Sequence, residues 1–71
     1  MYPNVKAELA RKGITLEKLA EELEQRGMKR TVATLSNKFT GKFPITLNEA
    51  KAIKDVLDTE IPIEELFEVV G

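Results

Sequence analysis

Residues 31–42, read TVATLSNKFTGK, carry short polar side chains of the kind that could recognise a nucleic acid. Val32, Leu35 and Phe39 recur at helical spacing, so a helix would turn them toward one side. The opposite side then holds small, uncharged side chains, which fit the base edges of a DNA major groove. A solvated amphipathic helix in a small bundle is an equally good interpretation of this stretch alone. The residues expected to read bases are Val32, Ala33, Thr34, Ser36 and Asn37.

Asn37 is the best candidate for direct base readout, because its amide can pair at two points with adenine. The alternative for Asn37 is an ordinary exposed helix residue. Thr34 and Ser36 can contact base or phosphate, although Ser36 also fits half-buried packing. Ala33 or Val32 can pack on a thymine methyl group. This helix therefore offers both hydrogen bonds and apolar contacts to base edges.

Charge is segregated along the chain, although the net charge of −1 argues weakly against a polyanionic partner. Residues 26–48 contain no acidic residue, whereas the segment from Glu49 onward is strongly acidic. Such asymmetry predicts an anionic partner on one face and solvent on the other. Lysine and arginine neutralise phosphates and release counterions, so we expect salt-dependent binding to double-stranded DNA. The cations expected to bind phosphates are Arg26, Lys29, Arg30, Lys38 and Lys42.

Two residue types are missing from the chain, and their absence excludes whole classes of chemistry. Without cysteine there is no disulfide or thiol nucleophile, and without histidine the commonest metal ligand and acid–base group is missing. We therefore expect no enzyme, no catalytic or metal-binding residues, no cofactor and no small-molecule substrate. No apolar run reaches the ~20 residues of a membrane span, and the N-terminus lacks a signal-peptide profile. We expect a cytoplasmic protein that makes no membrane contact.

The 71 residues predict one all-α domain, spanning residues 1–71. Thr46 and Glu49 form a capping-box pattern, in which each side chain bonds the backbone of the other residue. We expect Asn4, Thr15 and Thr31 to cap three further helices. Amphipathic spacing, caps and glycines together predict a compact bundle of five short helices at about 4–12, 16–26, 32–40, 47–57 and 62–68.

Five segments occur in an informative order: Gly13-Ile14-Thr15, Leu19–Leu23, Thr34–Lys42, Thr46–Ala50 and Ile63–Phe67. Together they resemble the lambda-repressor-like (Cro/Xre) family of bacterial and phage DNA-binding proteins, over about residues 5–67. The resemblance implies a helix-turn-helix domain whose third helix enters the major groove while the second lies across the backbone. It adds Thr31 to the base-reading residues and Thr15 to the phosphate-binding residues. It also implies a sequence-specific transcriptional regulator, such as a small repressor of the phage or prophage type.

Two features depart from the pattern of that family. The connection between Leu23 and Thr31 is several residues longer than the usual turn. We expect the second helix to run on for an extra turn and Met28 to take the inward position of the turn. Leu16 stands where the family often has a glutamine that contacts DNA. Individual base contacts therefore do not transfer directly.

The C-terminal segment is more apolar than its length requires, and we expect it to form the surface of a homodimer on DNA. A domain of this size buries a limited interface, so specific operators are usually bound by dimers on two half-sites. The expected self-association residues are Leu66, Phe67, Val69 and Val70. An equally good alternative is that Leu66 and Phe67 simply close the core. A second functional class also stays open, in which the acidic C-terminal half binds a protein partner, as in an adaptor or antitoxin-like module without DNA binding of its own.

Overall fold

Five α-helices build the part of the chain that the computed structural model describes, residues 2–69. They are α1 (Pro3–Arg11), α2 (Leu16–Gln25), α3 (Val32–Phe39), α4 (Leu47–Leu57) and α5 (Ile63–Leu66). No strand occurs within these residues, so the predicted all-α class is confirmed. The bounds of α4 match the prediction, whereas α5 is shorter than the expected 62–68.

Threonine side chains begin three of the helices. The Thr15 hydroxyl accepts a hydrogen bond from the Lys18 backbone N–H at 3.1 Å. Thr31 caps α3 in the same way, and Thr46 and Glu49 form the complete capping box of α4. These three predicted caps are confirmed, and each satisfies a backbone donor that the helix itself leaves unpaired.

The predicted cap of α1 is wrong. Helix α1 begins at Pro3, which suits the first helical position because proline has no N–H to satisfy there. Asn4 is therefore already inside the helix. Its side-chain amide instead donates to the Glu65 carbonyl at 2.7 Å and ties α1 to α5.

The ends of α1 and α2 depend on two glycines in the left-handed region. Gly13 has φ +68° and Gly27 has φ +82°. The residue after each glycine donates its N–H back to the helix, Ile14 to the Leu9 carbonyl and Met28 to the Leu23 carbonyl, both at 2.9 Å. Both side chains are half-buried against the core, as predicted for Met28. The glycine ending thus turns the chain and also inserts an apolar side chain beneath the turn.

The hydrophobic core is formed by nine buried side chains drawn from all five helices. Helix α2 packs against α3 and α4, while α5 packs against α1 and α4. No helix among residues 2–69 combines the length and the apolar composition that a bilayer crossing requires. The core residues are Val5, Leu9, Leu19, Leu23, Leu35, Phe39, Ile53, Leu57 and Leu66.

Candidate nucleic-acid interface

Helix α3 turns Leu35 and Phe39 into the core and leaves its opposite side in solvent. Val32 is 38% exposed, so it does not join Leu35 and Phe39 in the core, although the helical spacing groups the three residues on one side. Val32 is the first residue of the helix, one turn before Leu35. The exposed positions of α3 and its C-cap are Val32, Ala33, Ser36 and Thr40.

The hydroxyls near the start of α3 are bonded to each other. Thr31 Oγ1 donates to Thr34 Oγ1 at 2.9 Å and accepts from the Thr34 backbone N–H at 3.1 Å. Thr34 is half-buried, whereas Ser36 is exposed, so the packing alternative does not apply to Ser36. Asn37 is half-buried, and its amide bonds no other side chain or backbone group among residues 2–69. Ser36 and Asn37 are therefore the polar groups that α3 leaves most available.

Arg26 forms ion pairs on α2 and α4 rather than pointing freely into solvent. Its Nε donates to Asp55 Oδ2 at 2.8 Å and its Nη1 to Glu22 Oε1 at 3.1 Å. The hydrogen bonds that Arg26 donates to Asp55 and Glu22 raise the pKa of its guanidinium above the ordinary value. Two carboxylates thus compete with any phosphate for this predicted phosphate ligand.

Glu49 binds two more of the predicted phosphate ligands. Its carboxylate accepts from Arg30 Nε at 2.6 Å and from Lys38 Nζ at 2.8 Å. The Thr46 backbone N–H also donates to Oε1 at 2.9 Å, and the Glu49 side chain is only 2% exposed. We call Glu49, Arg30 and Lys38 the Glu49 cluster. It connects both ends of α3 to the first turn of α4.

The Glu49 carboxylate stays ionised although it is buried. Burial by itself raises the pKa of this carboxyl group, because a low-dielectric interior disfavours the charged form. Hydrogen bonds from Lys38, the Thr46 backbone and Arg30 outweigh burial and lower the pKa from 4.5 to about 2. At neutral pH the cluster therefore contains one anion and two cations.

Lys29 and Lys42 are the predicted cations that keep their charge available. Both are exposed, and within the described residues neither forms an ion pair with a carboxylate. Lys29 precedes α3 in the chain and Lys42 follows it, so an exposed lysine without an ion pair flanks the helix on each side in sequence. Thr15 is also exposed, but its hydroxyl is used as the cap of α2. The phosphate-binding role of all these residues stays a prediction.

An apolar surface lies where α4 begins and the chain leaves α5. Leu47 is 61% exposed and Val69 is 60% exposed, and they line a shallow groove with Tyr2, Ile45 and Phe67. We call these five residues the Leu47 surface. Phe67 packs edge-on against Tyr2, with ring centroids 5.8 Å apart.

The residues predicted for self-association do not share one environment. Leu66 has no exposed surface and belongs to the core, which corrects its place on the predicted dimer surface. Val69 is exposed, Phe67 is half-buried, and Val70 lies outside the described residues.

Sequence reasoning found the capping box but missed the second role of Glu49. The available signal was the position of Glu49 as the first acid after the long acid-free segment, residues 25–48. A cap residue that faces several unpaired cations is a reasonable partner for them. The ion pair between Arg26 and Asp55 had no comparable signal, because it depends on how α2 and α4 pack.

A family model described as a domain of unknown function (DUF6471) matches residues 4–47. This range covers almost all of α1, the whole of α2 and α3, and the connection to α4. No curated protein and no solved structure matches the chain. Since the matched range is more than half of the 71 residues, the chain belongs to the DUF6471 family.

Proposed function

We propose that this protein is a sequence-specific DNA-binding regulator of the lambda-repressor-like helix-turn-helix type, and that α3 enters the major groove. The observation that carries the proposal is the exposed, uncharged face of α3 with a free lysine at each end. Ala33 and Ser36 are small and exposed, so a groove wall can approach the helix closely. The whole segment 26–48 lacks carboxylates that would repel a phosphate backbone.

The pairing of α2 with α3 also supports the proposal. The two helices pack against each other and are joined by residues 26–31, with the glycine turn at Gly27. In a helix-turn-helix protein the first helix of the pair supports the second from behind while the second contacts bases. Leu23 and Leu35 are buried, which supports a fixed placement of α3 against α2.

The free cations give the proposal a measurable electrostatic prediction. Each phosphate neutralised contributes about −0.9 to the slope of log K against log salt. Replacing Lys29 and Lys42 by alanine should therefore weaken binding to every duplex. It should also reduce the magnitude of the slope of log K against log salt by about 2. The control replaces Lys6 and Lys12, two exposed lysines at α1, and removes the same charge; because Lys12 Nζ donates to the Asp58 carbonyl at 3.1 Å, thermal unfolding first checks that this variant is folded. Mobility shifts at several salt concentrations measure both effects, and equal loss in the two double variants would contradict the placement of DNA at α3.

Nuclear magnetic resonance tests where a duplex binds. Adding random duplex DNA to the isotope-labelled chain should shift the amide resonances of residues 29–42. A protein-interaction module would leave those resonances unchanged and would instead respond to a partner at residues 49–69, where exposed acids are concentrated. The absence of any shift with duplex DNA would overturn the proposal.

We infer further that two copies bind adjacent half-sites through the Leu47 surface. This surface is flanked by Lys51, one turn after Leu47, and by Glu68, and both are exposed without an ion pair in the described chain. A two-fold interface places a patch against its own copy, so unlike charges on its borders can pair across the axis. Replacing Leu47 and Val69 by serine should shift sedimentation toward the monomer. Phe43→Ser, at another exposed apolar residue, is the control, and an unchanged balance in the double variant would refute the interface.

A further inference from the structure

Lys38 and Arg30, the two cations of the Glu49 cluster, differ in how many of their N–H donors are already bonded. Lys38 is 15% exposed, and its ammonium group donates to Glu49 Oε1 and to the Pro44 carbonyl at 3.1 Å. An ammonium group has three N–H donors, so at most one remains for another partner. Lys38 therefore serves the fold, because it ties the last turn of α3 to the connection that follows it.

Arg30 has N–H donors to spare, although two of its guanidinium nitrogens are already bonded within the protein. Its Nε donates to Glu49 Oε2, and its Nη1 donates to the Lys29 carbonyl at 2.9 Å. A guanidinium has five N–H donors, and three of the five are not used in these two bonds. The side chain is 33% exposed, so part of it remains accessible just before α3 begins.

We propose that Arg30 is a pre-oriented phosphate ligand and that Glu49 is the positioning residue that holds it. This role rests on the proposed function, because it concerns how Arg30 is oriented toward DNA in the proposed interface. A free arginine side chain must be ordered when it binds, whereas Arg30 is already fixed at two donors before DNA arrives. Glu49 thus strengthens DNA binding although it is an anion close to the interface.

The sign of the effect of Glu49→Gln tests this role. Removal of a negative charge beside a DNA-binding surface ordinarily raises affinity, because it increases the local positive potential. If Glu49 positions Arg30, the same substitution lowers duplex affinity, by about fivefold for one side chain that must be reordered. Glu24→Gln removes the same charge at an exposed α2 residue and should leave affinity equal or slightly higher. Tighter binding or a steeper salt slope for Glu49→Gln would overturn the proposal.

Arg30→Lys provides a second variant that retains the charge and does not depend on the stability of Glu49→Gln. A lysine has a single donor group and cannot bond Glu49 while presenting a second edge to phosphate. We expect about a fivefold loss of duplex affinity. Lys29→Arg, at the neighbouring free cation, should stay within about twofold of the wild type. Equal affinities for Arg30→Lys and the wild type would overturn the role of Arg30.

The resonance of the Arg30 Nε–H separates this proposal from the proposed function, because it is measured without DNA. In the wild type this proton should exchange slowly, and Glu49→Gln should speed its exchange. Similar exchange in both proteins would overturn the positioning role even if DNA binds. Slow exchange in a wild type that binds no duplex would instead overturn the proposed function, and with it the phosphate-binding role of Arg30.

Discussion

Replacing Glu49 by glutamine should destabilise the domain strongly at neutral pH and hardly at all in acid. Glutamine keeps the size of the side chain and can still accept from the Thr46 backbone, but it removes the charge that Arg30 and Lys38 face. Removing one partner of a buried ion pair is costly because the remaining charges stay uncompensated.

The magnitude follows from the pKa of the Glu49 carboxyl group. A fall from 4.5 to about 2 means that folding favours the ionised form. At 1.36 kcal/mol for each pKa unit this difference stabilises the native state by about 3 kcal/mol. A domain of this length has a net stability of only about 3–5 kcal/mol. The ionised Glu49 carboxylate therefore contributes much of the free energy of unfolding of this domain.

The direction of the pH dependence follows from the sign of the shift. Because the folded pKa is the lower one, the stabilisation is fully present above pH 4.5 and is lost as pH falls toward 2. The difference in stability between the wild type and Glu49→Gln should therefore be about 3 kcal/mol at pH 7 and shrink through this window. Glu8 and Glu22 also have pKa values lowered by hydrogen bonds from arginine. Taking the difference in stability between the two proteins at each pH cancels their contributions.

Thermal unfolding followed by circular dichroism measures the effect. A change of 1 kcal/mol shifts Tm by about 4–8 °C in a domain of this size, so Glu49→Gln should lower Tm by about 12–24 °C at pH 7. Glu24→Gln, at an exposed carboxylate that forms no ion pair among residues 2–69, is the control and should leave Tm nearly unchanged. A small shift for Glu49→Gln, or a large shift that stays constant down to pH 2.5, would refute the reasoning.

Three further predictions concern the core, a turn and base readout. Leu35→Ala should cost about 2–5 kcal/mol in chemical denaturation because Leu35 is 2% exposed, whereas Val32→Ala on the same helix should cost under about 1 kcal/mol. Gly27→Ala should lower the free energy of unfolding by about 1–2 kcal/mol, because φ is +82° and alanine is strained there. No atom lies within contact distance of the added methyl, so the cost comes from the backbone alone, and an equal Tm for this variant and the wild type would contradict that strain. Asn37→Ala should relax the preference at one base pair by about 1–3 kcal/mol in a selection from random duplexes, and an unchanged consensus would exclude Asn37 from readout.

The helix caps could be predicted from sequence because they are local. Thr46 and Glu49 are three residues apart, and a capping box needs only that spacing and a following helix. The glycine endings are equally local, since Gly13 and Gly27 each adopt a conformation that other residues avoid. Rules of this kind fixed most helix boundaries to within a residue or two.

The environment of each side chain was harder to predict where it depends on packing between helices. Leu66 and Phe67 are adjacent and both apolar, yet only Leu66 is fully buried. Arg30 and Lys38 looked like free cations because their partner Glu49 is 11 to 19 residues away in the chain and reaches them only when the first turn of α4 is brought next to them by the tertiary fold. Composition identifies which charges exist, whereas the tertiary fold decides which of them are already neutralised.

Under the proposed function, a chain with a net charge of −1 must present a locally cationic surface to a polyanion. Fields in physiological salt decay over about 8 Å, so a phosphate responds to the nearest charges rather than to the total. The cations on and beside α3 are Lys29, Arg30, Lys38 and Lys42, and among residues 2–69 Glu49 is the one carboxylate paired with any of them. Glu49 is 2% exposed and lies behind its two partners, which places the anion inside and leaves the two free lysines outside. These five side chains together carry a net positive charge, so under the proposed function the affinity for DNA should depend on them and on base contacts rather than on overall charge.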